Sequence, residues 1–330
     1  MVIADGPTEV LVVEDVWGPA FDRLAETVTV SYQPDLWRDR DRLGTEAAGA
    51  RAVVVRNRTQ VDAALLDAAP NVQVVARAGA GLDNVDVEAA IARGVVVVAA
   101  RGANATSVAE LTLGLALALA RGIVGHDRAV RHGRWDRTAG RELGGCTWGL
   151  LGVGATGLAV ARLVSCLDAR VVGYDVAVKG GDDAVRSAGV QMASSMEEVV
   201  ASADVLSVHL PATAQTRGLV DADFLARMRP GSLLVNVGRG EVMDEAALAD
   251  ALQRGHLGGA ALDVRAEEPP SAGPLDDAPN VVFTPHVAGI TLEAQARVTG
   301  MLAEDLIALL RGGEARHAVG PVTRLAATRA

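Results

Sequence analysis

Three polar residues that could act together follow apolar, strand-like runs in the second half of the chain: Arg239 in LLVNVGRG, Glu268 after ALDVRAE and His286 in VVFTPH. An arginine can bind a carboxylate, a histidine can transfer a proton near neutral pH, and an acid can orient the histidine and balance its charge. Together they suit hydride transfer on a 2-hydroxy or 2-oxo acid. Taken singly, each has a simpler explanation: a surface ion pair of little energetic value, a solvated loop acid beside Glu267, or a structural histidine.

A glycine-rich motif lies upstream of these residues. Residues 152–157 are GVGATG, a G-x-G-x-x-G pattern that follows the apolar run Trp148–Val153 and opens the helical pattern Leu158–Leu167. Such glycines allow a tight turn and let a pyrophosphate approach the free N–H groups at a helix start. The pattern predicts a dinucleotide site, although a turn needed only for helix–strand packing would have the same sequence.

The next apolar run ends in an acid, Asp175, which stands 18 residues after Gly157. A carboxylate at this strand end can accept hydrogen bonds from both adenine-ribose hydroxyls and would repel a 2′-phosphate, which favours NAD over NADP. Lys179 and Arg186 lie downstream and would weaken that preference.

Lysine chemistry is nearly excluded. Lys and Arg together number 31 in the 330-residue chain, of which Lys179 is one, so 30 are arginine. Lys179 stands in VKGGD, which is neither the Gly-Lys-Ser/Thr of a P-loop nor the apolar setting that a Schiff-base lysine needs. Any bound anion must then be held by arginine, by backbone N–H groups or by a helix N-terminus. A GC-rich genome is an equally simple explanation for the excess of arginine.

The remaining composition excludes several classes of protein. Half of the residues are hydrophobic and 22% are charged, so a large core is expected and global disorder is not. The net charge of −10 argues against a nucleic-acid partner. Cys146 and Cys166 offer neither a disulfide framework nor a metal cluster. Without a signal-peptide pattern or an apolar run long enough to span a membrane, we expect a soluble, cytoplasmic protein with no metal.

Short valine-rich runs alternate with amphipathic stretches along the chain, which is typical of α/β proteins. The runs are continuously apolar, as in parallel strands covered on both faces. The scheme occurs twice, around a helical region at 107–132. We therefore expect two doubly wound parallel-sheet domains with a cleft between them: a flavodoxin-like substrate-binding domain from residues 1–102 and 290–330, and a Rossmann NAD-binding domain from residues 103–289.

Several ordered motifs match one family between about Val53 and Arg311. They are VARAGAGLDNVDVEAA (75–90), NATSVAELTLGLALALAR (104–121), the glycine motif with its acid, HLPATAQTRGLV (209–220), VNVGRGEVMDEAALADAL (235–252), ALDVRAEEPP (261–270) and PNVVFTPHVAGIT (279–291). On these motifs the chain resembles the D-2-hydroxyacid dehydrogenases, and among them the phosphoglycerate dehydrogenases most closely. Ile290 departs from the G-S-T that commonly follows the family's histidine.

The resemblance implies roles for individual residues. Arg239 would bind the substrate carboxylate and polarise the C2 oxygen, His286 would exchange a proton with the C2 hydroxyl, and Glu268 would pair with His286. Contacts with NAD are implied for Gly152, Gly154, Ala155, Thr156, Gly157, Asp175, Leu210, Pro211, Val237, Gly238, Asp263, Ala288 and Gly289. Contacts with the substrate are implied for Arg56, Arg77, Ala78, Gly79, Ala80 and Arg137.

The resemblance also ranks substrates. Ala80 stands where the similar phosphite dehydrogenases have a lysine, and Glu268 where formate dehydrogenases have a glutamine, so neither activity is expected. The leading pair is 3-phosphoglycerate and 3-phosphohydroxypyruvate, in serine biosynthesis. Arg56, Arg77 and Arg137 would then serve the distal phosphate, because guanidinium geometry suits such an anion.

Alternatives stay open. Arg56 and Arg77 could instead bridge to acids such as Asp83. Glyoxylate or hydroxypyruvate, sulfolactate and other 2-hydroxy acids are possible substrates, and a corepressor-like protein that senses NAD(H) is a remote alternative of another class. The region 107–141 resembles the family's dimerisation arm, which implies a homodimer with Arg137 reaching the partner's cleft. Because the C-terminal regulatory domain of longer phosphoglycerate dehydrogenases is missing here, we expect no direct feedback by serine.

Overall fold

A computed structural model of the chain describes residues 2–3 and 7–325. Its strands are β1 (Val2–Ile3), β2 (Val10–Val12), β3 (Val30–Tyr32), β4 (Ala52–Val55), β5 (Val74–Arg77), β6 (Val96–Ala99), β7 (Thr147–Leu151), β8 (Arg170–Tyr174), β9 (Val190–Met192), β10 (Val205–Val208), β11 (Leu233–Asn236), β12 (Gly259–Leu262), β13 (Val281–Phe283) and β14 (Ala318–Val319). Its α-helices are α1 (Pro19–Ala25), α2 (Arg40–Ala48), α3 (Ala63–Ala68), α4 (Val87–Ala92), α5 (Ala105–Ala120), α6 (Ile123–Arg131), α7 (Ala155–Ser165), α8 (Asp183–Ser187), α9 (Met196–Ser202), α10 (Ala222–Arg227), α11 (Glu245–Gln253) and α12 (Leu292–Leu310). Short 3-10 helices cover Leu36–Arg38 and Gly240–Val242.

The chain divides into two compact units. The first takes the chain up to Asn104 together with the chain from Thr291 on, and the second is Ala105–Ile290. The boundaries expected from sequence, at 102 and 289, lie within two residues of these. Helix α12 contacts α1, β5 and β6 of the first unit, so the late part of the chain completes the fold that the early part begins.

The sheet of the first unit has the strand order β1-β3-β2-β4-β5-β6-β14. The five central strands, β3, β2, β4, β5 and β6, are parallel to one another, and their order corresponds to the flavodoxin-like arrangement. The edge strands β1 and β14 pair antiparallel with β3 and β6, a feature that the sequence pattern did not indicate.

The sheet of the second unit has the strand order β13-β12-β11-β10-β7-β8-β9, and every neighbouring pair is parallel. This is the Rossmann order with β13 added at one edge. The predicted fold class, α/β with two doubly wound units, is confirmed. Strand β9 was not among the predicted strands; its three residues, Val190–Met192, include an exposed glutamine and form no continuous apolar run.

Both sheets are covered on both faces, which explains why their strands are apolar without alternation. In β11, Leu233 and Val235 pack in one core and Leu234 packs in the core on the opposite face. In β2, Val10 and Leu11 are divided between two cores in the same way. Because the strands are mostly apolar on both faces, the polar side chains with a chemical role lie mainly at the strand ends.

The helical region expected at 107–132 is two helices, α5 and α6. The break falls at Gly122, whose φ of +59° favours a glycine. No single helix in the described part of the chain is long and apolar enough to cross a membrane; α5 and α6 meet that length and composition only as a pair bent by 60°. Helix α5 packs against α7, β11 and β12.

A buried carboxylate fixes the loop that follows β4 in the first unit. Glu14 is 2% exposed, and its two oxygens accept the backbone N–H groups of all four residues 56–59, at 2.8 to 3.2 Å. These four donors offset the large cost of burying the charge. The loop that begins at Arg56 is therefore held beside the end of β5, where Val55 pairs with Arg77.

Candidate active site

Strands of the second sheet end in register at one edge, and the residues that follow them form the candidate site. The paired final residues are Tyr174, Leu151, Val208, Asn236, Leu262 and Phe283. The residues directly after them are Asp175, Gly152, His209, Val237, Asp263 and Thr284. The strand order reverses between β7 and β10, and ligands of open α/β sheets bind at the carboxyl edge beside such a reversal.

The glycine motif makes the turn from β7 into α7. Gly152 has a φ of +94°, and a Cβ on it would lie 2.9 Å from the backbone oxygen of His209. A Cβ on Gly157 would overlap the backbone oxygen of Gly152. Gly154, the N-cap of α7, makes no side-chain capping bond, and nothing lies within 4 Å of where its Cβ would be. Two glycines are therefore required by close packing, and the third leaves an open helix start that fits a dinucleotide pyrophosphate.

Asp175 joins the glycine loop to the end of β8. Its Oδ2 accepts the N–H of Val153 at 2.9 Å, and its Oδ1 accepts those of Ala177 and Val178 at 2.8 and 3.2 Å. A carboxylate can accept about four hydrogen bonds, so Oδ2 retains capacity for a ribose hydroxyl. The predicted cofactor acid thus also fixes the loop, a role that the sequence did not reveal.

The other predicted cofactor residues lie along the same edge: Ala155, Thr156, Leu210, Pro211, Val237, Gly238, Ala288 and Gly289. The loops after β10 and β11 touch each other through backbone, since a Cβ on Gly238 would lie 2.8 Å from the backbone oxygen of Leu210. A side chain at position 238 would therefore separate these two loops.

Asp263 organises the turn that carries His286. Its carboxylate is 1% exposed and accepts the hydroxyl of Thr284 and the N–H groups of Val287 and Ala288, the latter two at 2.9 Å. Its backbone oxygen accepts the N–H of His286 at 2.7 Å. The Asp263 carboxylate is therefore bound to the turn itself, and its contact with NAD stays a prediction.

His286 has an unusual backbone conformation for a non-glycine residue, with a φ of +55°. Such a conformation costs of order 1–3 kcal/mol and persists only where its surroundings impose it. Here the N–H bonds to Asp263 and Thr284 do so. The imidazole Nδ1 lies 2.7 Å from Oε2 of Glu268, and the side chain is 40% exposed. Among the described residues Nε2 has no hydrogen-bond partner, which leaves it to a ligand.

Arg239 follows β11 on a turn pinned by a buried amide. Asn236 is fully buried; its Nδ2 donates to the backbone oxygen of Arg239 at 3.0 Å and its Oδ1 accepts the N–H of Gly238 at 3.1 Å. Nη1 of Arg239 donates to the backbone oxygen of Gly238 at 2.8 Å. Asn236 was not a predicted site residue, although a polar side chain closing the apolar run LLVN was the available signal.

Glu268 is held as an anion. Desolvation raises the pKa of its carboxyl, but the hydrogen bond and charge of His286, the N–H of Arg265 and the charge of Arg239 outweigh desolvation and lower the pKa overall. The three residues singled out first thus form a linked set of cation, anion and histidine. No group of three or more metal-binding side chains occurs in the part of the chain that the structure describes.

The predicted substrate residues of the first unit lie at the carboxyl ends of β4 and β5. Arg56 begins the loop that Glu14 holds. Residues 78–80 follow β5, and the guanidinium of Arg77 folds over Gly79, where any Cβ would overlap it. Arg137 lies on the exposed segment after α6. Its role as a substrate contact stays a prediction.

His209 was also missed by sequence reasoning. It follows β10, and its ring lies against the glycine loop, 3.9 Å from where a Cβ on Gly157 would be. Nε2 is 3.0 Å from the Ser207 hydroxyl, which accepts a hydrogen bond from Trp148 Nε1 at 2.9 Å. Nδ1 is buried without a hydrogen-bond partner among the described residues. Desolvation lowers the pKa of His209 to about 4, so the ring is neutral near pH 7.

This burial predicts a pH dependence of stability. The ordinary pKa of histidine is 6.5, whereas folded His209 takes a proton only near pH 4, so the unfolded chain binds the extra proton between these values. The free energy of unfolding should therefore decrease, by about 2–3 kcal/mol in total, as pH falls through this interval. In urea denaturation between pH 7 and 4, His209→Gln should reduce this slope. The exposed His132→Gln should keep it, and an unchanged slope in both variants would contradict the assignment.

Comparisons with known proteins agree with this geometry. Residues 113–288 match the NAD-binding domain of the D-isomer specific 2-hydroxyacid dehydrogenases. The D-3-phosphoglycerate dehydrogenase of Archaeoglobus fulgidus is 40% identical over 314 residues, 94% of this chain and 59% of its own length. The (S)-sulfolactate dehydrogenase of Chromohalobacter salexigens is 39% identical over 302 residues, 91% of this chain and 97% of its own length.

A solved structure gives the same result for the fold. The NADPH-dependent glyoxylate/hydroxypyruvate reductase of Sinorhizobium meliloti, in complex with NADP and malonate, is 30% identical with a TM-score of 0.86, covering 98% of this chain and 100% of that chain. The chain spans 59% of the length of the Archaeoglobus relative and 52% of that of a mycobacterial D-3-phosphoglycerate dehydrogenase. On the family match and the (S)-sulfolactate dehydrogenase likeness, the chain belongs to the D-isomer specific 2-hydroxyacid dehydrogenases, with their NAD-binding domain at residues 113–288.

Proposed function

We propose that this protein is an NAD-dependent oxidoreductase that transfers a hydride between the nicotinamide and C2 of a D-2-hydroxy or 2-oxo acid. One observation carries the proposal: the 2.7 Å hydrogen bond between His286 Nδ1 and Glu268 Oε2, on the unit that also holds Arg239 and the glycine loop. A histidine with one nitrogen on a carboxylate and the other available is the arrangement that general acid–base catalysis requires.

The residues divide the work of the reaction. Bound NAD supplies the capacity to exchange a hydride. The Arg239 guanidinium binds the substrate carboxylate and draws electron density from the C2 oxygen. His286 Nε2 takes the proton of the C2 hydroxyl in oxidation and returns it in reduction. Glu268 balances the imidazolium that forms in between and holds the ring through Nδ1.

The cofactor choice follows from Asp175. Its carboxylate lies where the adenine ribose of a dinucleotide is expected, and a negative charge there opposes a 2′-phosphate. Arg186, one of the two downstream cations that would favour NADP, donates hydrogen bonds to the backbone oxygen of Gly181 and to the carboxylate of Asp183. These contacts support NAD for this chain, whereas the Sinorhizobium relative is described as NADPH-dependent.

Replacing the reacting groups should separate turnover from cofactor binding. His286→Ala and Arg239→Ala should each reduce kcat/KM by at least about 10²-fold on every accepted 2-oxo acid, because each removes a group that acts on the reacting centre. NADH consumption with a panel of 2-oxo acids, and NADH fluorescence titration, are the measurements.

The controls are two exposed residues of the same types, His132→Ala and Arg254→Ala, which should keep both activity and NADH binding. Full activity in His286→Ala or Arg239→Ala would contradict the site assignment. A protein that only senses NAD(H) would bind NADH and turn over no acid in the panel.

The leading substrate is 3-phosphoglycerate or its 2-oxo form, 3-phosphohydroxypyruvate, which would give the protein a role in serine biosynthesis. The names of several relatives and the arginines at the carboxyl edge of the first sheet support it. Arg56 is held in place by Glu14, and Arg77 lies on the neighbouring strand end. Sulfolactate also carries a distal anion and is the named substrate of one relative, so it is the second candidate.

Arg56→Ala should distinguish substrates with a distal anion from those without one. We expect it to raise KM for 3-phosphohydroxypyruvate by about tenfold or more, because one charge-assisted hydrogen bond is worth about 1.5–3 kcal/mol. KM for glyoxylate should stay nearly unchanged.

Arg58→Ala is the matched control, since the guanidinium of Arg58 stacks on Trp37 at 4.7 Å. Equal effects of Arg56→Ala on both substrates would remove the argument for a distal phosphate, and a larger effect with sulfopyruvate would favour the sulfonate substrate.

We also propose a homodimer through the region 107–141. Apolar side chains on α6 and just after it are exposed: Ile123 is 52%, Val130 51% and Trp135 79% exposed. Ile123 and Val130 lie seven residues apart and share a helix face. A second copy of the chain would bury this surface, and Arg137 would then lie at the interface.

Light scattering of the purified protein tests the dimer. The mass should be about twice the 33.9 kDa of one chain. Ile123→Asp together with Val130→Asp should reduce it to one chain, because two charges on a buried interface are costly. Leu292→Asp, at an equally apolar site that is 87% exposed, should leave the dimer intact. A monomeric wild-type protein would contradict the proposal.

A further inference from the structure

Arg265 joins three parts of the second unit that carry the candidate site. Its Nε and Nη2 donate to Oε1 and Oε2 of Glu245 at 3.0 and 2.8 Å. Its backbone N–H donates to Oε1 of Glu268 at 3.1 Å, and its guanidinium lies 4.8 Å from the ring centroid of Phe283. Glu245 begins α11 and Phe283 ends β13, three residues before His286. One residue therefore contacts the elements that position both Glu268 and His286.

Glu245 binds the loop as well as the arginine. Its Oε1 also accepts the N–H of Ala266 at 2.9 Å. The backbone of Arg265 also lies directly against Gly240, the residue that follows Arg239, because a Cβ on Gly240 would overlap it. Residues 266–270 are exposed, and the contacts at 265–266 help to attach the segment that carries Glu268.

The pair of Glu245 and Arg265, here called the clamp, is more protected than the surface ion pairs. The Arg265 side chain is 10% exposed and that of Glu245 is 23% exposed, against 31% and 67% for Arg93 and Asp67. The hydrogen bond from Arg265 lowers the pKa of Glu245 despite desolvation, and the same bond raises the pKa of Arg265. A bidentate, half-buried pair of this kind fixes geometry as well as charge.

We propose that Arg265, held by Glu245, is a positioning residue that orients the Glu268 carboxylate toward His286. The inference rests on the proposed acid–base role of His286 and Glu268. The Arg265 N–H occupies Oε1 of Glu268, which directs Oε2 to His286 Nδ1. Without the clamp the segment around Arg265 can shift, and its backbone N–H moves away from Oε1 of Glu268. The Glu268 carboxylate then no longer faces the imidazole in one fixed orientation.

Among the described residues, few charges act on Glu268 and on the clamp. His286 and Arg239 face Glu268, and Asp276 acts on both members of the clamp. Loosening the clamp should therefore act on the His286–Glu268 pair without removing a charge that faces it. Since a less well aligned carboxylate stabilises the imidazolium less, the pH limb of kcat/KM should move to lower pH in the variants.

The experiment compares Arg265→Ala, Arg265→Lys and Glu245→Gln with wild type, using the accepted 2-oxo acid and NADH. Arg265→Ala should lower kcat about tenfold or more and move the pH limb of kcat/KM by about half a unit or more to lower pH. KM and the Kd for NADH should change less than twofold. Glu245→Gln should act in the same direction. Arg265→Lys, which keeps the charge but not the bidentate geometry, should recover part of kcat.

Arg93→Ala is the matched control, because Arg93 also donates through Nε and Nη2 to a carboxylate, that of Asp67 in the first unit. It should change neither kcat nor the pH profile. The double variant of Glu245 and Arg265 should lower kcat no more than Arg265→Ala alone, since both substitutions remove the same interaction.

Some outcomes would overturn the inference. A loss of kcat with an unmoved pH limb, or an equal loss of NADH binding, would assign the clamp a purely structural role. If Arg265→Ala does not fold, an unmoved pH limb in Arg265→Lys and Glu245→Gln overturns the inference in the same way. The proposed function is tested separately, because an active His286→Ala variant would contradict it. An inactive His286→Ala variant together with an Arg265→Ala variant of unchanged kcat and pH profile would contradict the role of the clamp alone.

Discussion

Parallel strands buried on both faces set the constraint on which the rest of the structure depends. Side chains on either face of such a sheet are mostly apolar, so groups that bind or react lie mainly at the strand ends. Because the strands run in one direction and end in register, those groups collect at a single edge. In the second unit this edge carries Asp175, His209 and Asp263, and the loops just beyond it carry Arg239, Glu268 and His286.

Loops at such an edge need attachment, and here carboxylates that are buried or partly buried supply it. Glu14, Asp175 and Asp263 each accept three or more hydrogen bonds, nearly all of them from backbone N–H groups of neighbouring loops. A buried charge is costly unless it is fully hydrogen-bonded, and satisfying it with backbone donors fixes the chain at the same time. The chain has one lysine, and these loops are attached by hydrogen bonds between acidic side chains and backbone N–H groups.

The sequence was sufficient for the fold class and most strands, because these depend on local patterns: continuous apolar runs and glycine spacing. It also singled out Arg239, Glu268 and His286 as polar residues that follow apolar runs; the structure links the three, and their catalytic roles stay a proposal. The rest depends on contacts between distant parts of the chain. Glycine at 122 did not by itself indicate where the long helix breaks, and the antiparallel edges β1 and β14 are only two residues long. Asn236 and His209 are ordinary in sequence and become informative only when the burial of Asn236 and the desolvation of the His209 ring are known. The proposed role of Arg265 follows only from its contact with Glu245, which lies 20 residues earlier in the chain.

The central claim, direct hydride transfer to C2 of a 2-oxo acid with D configuration in the product, can be tested by isotope transfer. The purified protein would be given stereospecifically deuterated [4-²H]NADH with the accepted 2-oxo acid, and the product examined by mass spectrometry and chiral chromatography. One of the two C4 epimers should yield a D-2-hydroxy acid that carries one deuterium at C2. A product with L configuration, or an absence of deuterium at C2 with both epimers, would contradict the account.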